Sequence, residues 1–127
     1  MDEQVDAIPV PHAFGPFPLN VGATILPLIW GIFHGVGAGV VVQLVVGAAF
    51  VGASIASKQT GSAWPAVALG LRIVGAAISV GFGLVADRLA WRTRRDRDPA
   101  RYAKSERLWA IGIVVYALFA TWYRSNL

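Results

Sequence analysis

No cysteine occurs anywhere in the 127 residues, which excludes disulfides, iron–sulfur clusters and thiolate zinc sites and leaves the redox compartment unreadable. Charge is the next scarcity. Asp, Glu, Lys and Arg make up 14% of the chain, where a soluble domain carries roughly a quarter. Histidine occurs twice, at His12 and His34. No glycine-rich phosphate loop follows a strand pattern, no His-Glu-x-x-His appears and no two-metal carboxylate set is present. No metal site or catalytic residue is therefore expected, and the chain reads as a non-enzyme. The first residues are acidic (Asp2, Glu3, Asp6), whereas a secretory signal opens on a basic region, so the first apolar segment is expected to persist in the mature protein.

What is abundant is apolar. Hydrophobic residues make up 56% of the chain and gather in three runs, Val21 to Ser57, Trp64 to Ala86 and Leu108 to Tyr123. A hydrocarbon core of ~30 Å takes about 20 helical residues to cross, because every backbone group must be satisfied within the segment. The expected fold is all-α: an integral membrane protein with three transmembrane helices, at about 21–57, 64–90 and 106–124, within a domain spanning 20–127. Residues 1–19 carry Pro9, Pro11, Pro16 and Pro18 and read as an extended Pro-rich arm with an apolar surface. Asn20 is placed to cap a helix starting at Val21. The first run is too long for one perpendicular span, ~55 Å if unbroken, and an interior Pro27 would bend it.

Charge asymmetry gives an orientation. Eight of the 11 basic residues lie between Arg88 and Arg107, in or beside the expected loop 91–105, which positive-inside logic makes cytoplasmic. Three spans then put the N-terminus in the cytoplasm and the C-terminus outside. Such a cluster attracts anionic lipid at about 1 kcal/mol per residue, with Arg92, Arg94 and Arg95 as the contacts. Asp96, Asp98 and Glu106 dilute the field, and nucleic acid is not an expected partner. No Asp or Glu falls inside the three runs, so proton-coupled transport lacks its carboxylate. Arg72 is the one charge within a run and either snorkels to lipid phosphate or meets another chain.

Small residues recur at four-residue spacing. Gly31, Gly35, Gly39, Gln43 and Gly47 would share one stripe of the first helix, and Gly75, Ser79 and Gly83 one of the second. Such stripes let helices approach closely in lipid. Trp64, Trp91, Trp109, Trp122 and Tyr123 lie near helix ends, as in an aromatic belt. His34 sits among glycines, so a neutral imidazole there could ligate the magnesium of a bacteriochlorophyll or a haem iron. The plainer expectation is a hydrogen bond to a backbone carbonyl or a head group.

Two stretches taken together resemble a group of small bacterial three-helix inner-membrane proteins. The first holds Asn20, Gly22 and Ala23 and the Trp30-Gly31 pair. The second runs from Leu89-Ala90-Trp91-Arg92 into Trp109-Ala110-Ile111. Val21 and Asp96 stand where that group more often has aromatics. The resemblance implies a location in the bacterial inner membrane and brings no activity with it. The functional expectation is a non-catalytic accessory subunit packing against other membrane-protein subunits of a larger, energy-converting (photosynthetic or respiratory) assembly. Alternatives are a self-assembling pore or holin-like homo-oligomer, and pigment or haem binding through His34.

Overall fold

The first hydrophobic run is not one helix. In a computed structural model describing residues 9–127 it divides into α1 (Val21–Ile25), α2 (Pro27–His34) and α3 (Ala38–Ser57), followed by α4 (Trp64–Thr93) and α5 (Pro99–Ser125). The expected arm's residues 1–8 lie outside the described residues. Among the described residues the fold is all-helical, with one isolated bridge between Phe14 and Phe17. Helices α3, α4 and α5, of 20, 30 and 27 residues, are long and apolar enough to cross a membrane.

The break before α2 corrects the expectation of an interior, kinking Pro27. Proline disfavours helical geometry in the residue before it, and Leu26 accordingly leaves the helix at φ −129°, ψ 66°. Pro27 then opens α2 at its first turn, where a missing N–H costs nothing. The chain doubles back here: a Cβ on Gly22 would lie 3.1 Å from the Trp30 indole, although eight helical residues would separate them by about 12 Å. α1 and α2 thus form a helix–break–helix hairpin. Its tip, Ile25 and Pro27, shares a cavity with Gln43, Phe50, Ala76 and Val80, roughly 10 to 16 Å along α4 from Asp87.

A second reversal follows at Gly35, which adopts φ 67°. The Val36 N–H donates to Gly31 O at 2.8 Å and the Gly35 N–H to Ile32 O at 3.3 Å, a Schellman closure that needs a left-handed residue. α3 then crosses α2 at glycine-to-glycine contact. A Cβ on Gly31 would lie 3.0 Å from Gly39 Cα, and one on Gly39 would overlap the Pro27 carbonyl oxygen. The expected stripe Gly31, Gly35, Gly39, Gln43, Gly47 is therefore not one helical face. Its first three members build the turn between α2 and α3.

α3 and α4 pair antiparallel, with Gly52 against Leu71 and Gly75 against Phe50 and Ala49. Gly83 receives α1: its Cβ would meet the Thr24 hydroxyl and Leu19, and its carbonyl accepts from the Asn20 N–H at 2.9 Å. Much of the basic segment expected as loop 91–105 is helical. α4 runs on to Thr93 and α5 begins at Pro99, its first turn capped by Asp98, which accepts from Ala100 and Arg101 N–H at 3.1 and 3.2 Å. α5 buries Tyr102, Glu106, Ala110 and Ile113, one stripe at helical spacing, and nothing beyond. Trp91 is not a belt residue; it is 3% exposed and meets the Tyr102 ring edge-on at 5.8 Å.

This packing ranks the glycines. Gly39→Ala should destabilise by about 1–3 kcal/mol through overpacking against backbone. Gly47→Ala, with nothing within 4 Å of its Cβ, should be neutral or stabilise by about 0.5–1 kcal/mol. Thermal unfolding of the two variants in one detergent measures the difference, and equal midpoints would refute the α2–α3 crossing.

Candidate functional site

At the end of the bundle where α4 and α5 are joined, five parts of the chain contribute polar side chains to one buried cluster. Asn20 stands at the N-terminus of α1, Trp30 and His34 one turn apart on α2, Asp87 on α4, Tyr102 and Glu106 one turn apart on α5, and His12 on the arm. Asn20, Asp87 and Glu106 are each at most 2% exposed.

Asn20 is the hub. Its side-chain carbonyl accepts from the Ala23 N–H at 2.9 Å, capping α1. Its amide nitrogen donates to Asp87 Oδ1 at 2.7 Å and to Glu106 Oε2 at 2.6 Å. An amide carries two N–H donors, and here each serves a different carboxylate on a different helix. Asp87 also accepts from the Tyr102 hydroxyl at 2.7 Å, and its other oxygen meets His12 Nδ1 at 2.7 Å. Glu106 also accepts from Trp30 Nε1 at 2.8 Å, and its other oxygen meets His34 Nε2.

Nδ1 of His34 lies 2.7 Å from the Trp30 carbonyl oxygen, which can only accept, so Nδ1 is the donor there and Nε2 is the nitrogen that faces Glu106. Trp30 stacks on the ring at 4.2 Å and Trp109 leans on it at 5.9 Å. Each carboxylate oxygen thus has at least one donor or imidazole partner. Removing one member of a buried ionic network costs about 3–5 kcal/mol because the remaining charge is uncompensated.

Function rests on this geometry alone. Comparison with protein-family models, curated proteins and solved structures found no match for the chain.

The residues singled out from sequence fall in five places. Gly31, Gly35, Gly39, Gly75 and Gly83 serve contacts within the chain. Gln43, Gly47 and Ser79 come together, lining the cavity of about 390 Å³ at the hairpin tip. Arg72, Arg92 and Arg95 are exposed, and among the described residues Arg72 makes no ion pair. Arg94 is half-buried, its guanidinium 5.1 Å above the Tyr102 ring. His34 makes the backbone-carbonyl hydrogen bond that was its plainer expectation, with its second nitrogen on Glu106, so neither nitrogen is open to a pigment or haem. Among the described residues no group of three His, Cys, Asp or Glu is placed to hold a metal.

Sequence reasoning missed Asp87, Tyr102 and the role of Glu106. A signal existed: Asp87 continues the register Gly75, Ser79, Gly83, and that face of α4 is buried at Gly75, Gly83 and Asp87.

Asn20 provides a test that separates cap from hub. Asp caps a helix as well as Asn, so a mere cap would leave Asn20→Asp unchanged and Asn20→Ala weaker by about 1 kcal/mol. As the donor to two carboxylates, Asn20→Asp should instead be the worse variant, destabilised by about 3–5 kcal/mol. Chemical or thermal unfolding in detergent distinguishes the two orders.

Proposed function

We propose that this chain is a non-catalytic accessory subunit of a bacterial inner membrane, spanning it three times with its N-terminus in the cytoplasm, and that it presents α5 to another membrane protein. The orientation rests on the eight basic residues between Arg88 and Arg107. The observation that carries the role is the contrast between the two ends of α5. One end is held by Tyr102 and Glu106 in the polar cluster. From Val114 to Leu127 no residue is buried, and Tyr116, Leu118, Phe119 and Trp122 are 58–66% exposed.

In lipid, apolar exposure alone does not drive association, and helices meet through close packing and polar contacts. A helix fixed at one end and free of its own bundle at the other offers a rigid docking rod. Phe119 stacks towards Trp122 and Tyr123 on this free part, with centroids 6.0 and 6.3 Å apart, which gives it a preformed aromatic face. The pore reading has less support, since no helix carries a continuous polar face.

A photo-crosslinking residue at Leu118, compared with one at Ile73 on the exposed side of α4, tests the proposal in intact membranes. The expected result is a discrete adduct with a different protein from position 118 and none from position 73. Adducts only with lipid would overturn the proposal. Adducts only with a second copy would transfer it to the homo-oligomer, whose pore activity a planar-bilayer conductance measurement then decides.

A further inference from the structure

Against the polar cluster, walled on one side by its members His34 and Tyr102, lies a cavity of about 340 Å³ whose lining continues over Phe33, Ala90, Arg94, Ser105 and Trp109. No acidic side chain lines it. The two nearest buried carboxylates, Asp87 and Glu106, already have their partners. Arg94 is different: its Nε is buried without a hydrogen-bond partner, and among the described residues its guanidinium forms no salt bridge. The guanidinium carbon lies 5.1 Å over the Tyr102 ring, a cation–π contact. Two further lining residues, Ser105 and Trp109, are of types that carry a hydroxyl and an indole N–H.

Ser105 and Trp109 also line a second cavity of about 430 Å³, together with Leu108, Gly112 and Ile113. Going from Ser105 to Gly112 is about 10 Å along α5, in the direction of the apolar part of the helix. At Gly112 nothing lies within 4 Å of a Cβ position, so the groove floor is open. A cavity beside Arg94 and an apolar groove that share Ser105 and Trp109 as a wall have together the polarity of an amphiphile. A free phosphate would use the first half and leave the second without purpose.

We propose that this is a binding site for an anionic glycerophospholipid, with its phosphate on Arg94 and Ser105 and an acyl chain along Trp109, Gly112 and Ile113. The proposal rests on the membrane reading, with this end of the bundle at the cytoplasmic leaflet. It also singles out one arginine: Arg92 and Arg95, exposed beside it, contribute only to the general surface field.

The full chain, purified in mild detergent and titrated with phosphatidylglycerol or phosphatidylcholine, tests this by native mass spectrometry of bound lipid. The wild type should bind phosphatidylglycerol in preference, and Arg94→Gln should weaken it by more than about tenfold, the loss expected for one charge-assisted contact. Arg92→Gln and Arg95→Gln, which contribute only to the surface field, should change it by no more than about fivefold. Gly112→Phe, which fills the groove without touching the charge, should also weaken binding and stands in should Arg94→Gln not fold. Equal loss in all three arginine variants, equal binding of phosphatidylcholine, or full displacement by inorganic phosphate would each overturn the proposal. Failure of the membrane reading shows separately, as recovery of the chain in the soluble fraction before any lipid is added.

Discussion

One amide holds two carboxylates that would otherwise repel each other. Asn20 places an N–H on Asp87 and another on Glu106, and these acids come from the two long helices on either side of the 94–98 connection. With Asn20, Tyr102, Trp30 and two imidazoles around them, they become a fastening between α1, α2, α4, α5 and the arm. In lipid this matters more than in water, because the hydrophobic effect does not draw helices together there. The position of α5 is set by this end alone, since nothing beyond Ile113 is buried.

The hairpin of α1 and α2 follows from the same constraint. An unbroken helix over 37 residues would exceed the hydrocarbon thickness by about 25 Å, so in a chain that spans a membrane such a segment would have to tilt or break. Breaking frees backbone groups, which membranes tolerate only where protein or a water-filled cavity satisfies them. Here Asn20 caps the start, the Leu26 N–H returns to Gly22 O at 2.9 Å, and the Schellman bonds close the end at Gly35. Gly31 and Gly39 remove the side chains that would keep α3 off α2, and Gly83 does so for α1 on α4. Five of the glycines expected to pack helices closely, Gly31, Gly35, Gly39, Gly75 and Gly83, are used within the chain.

The three long helices were legible because hydropathy over some 20 residues is a strong local signal. The cap at Asn20 was legible for the same reason: it depends on three residues in sequence. The doubling-back was not, because a proline after a helical segment is compatible with a kink or with a new helix, and the choice depends on what Trp30 and Gly22 meet. The cluster was hidden by where the runs end. Asp87 and Glu106 stand one or two residues outside the apolar runs Trp64–Ala86 and Leu108–Tyr123, where charge ordinarily faces water. Asp87 falls on the buried Gly75–Gly83 face of α4, and the early start of α5 at Pro99 puts Glu106 one turn after the buried Tyr102. Trp91, expected at the interface, is carried into the core with them.

That inward turn also changes the charge that the surface presents. Counted along the sequence, Asp96, Asp98 and Glu106 offset the basic residues between Arg88 and Arg107. In the structure Glu106 is buried with His34, Asp98 caps α5, and Asp96 pairs with Arg101 at 3.0 Å. Arg107 reaches back to the Ala13 carbonyl at 3.3 Å, and Arg97 lies over Trp91 at 5.4 Å. Arg88, Arg92 and Arg95 remain exposed, and Arg94 turns inward beside the cluster without an acid of its own. The positive field is therefore stronger at the surface than the residue count suggests, because one of its counter-charges was withdrawn to fasten the helices. Fold and surface charge are in this sense one decision: burying Glu106 on Asn20 both fixes α5 and leaves Arg88, Arg92 and Arg95 exposed without a carboxylate partner among the described residues.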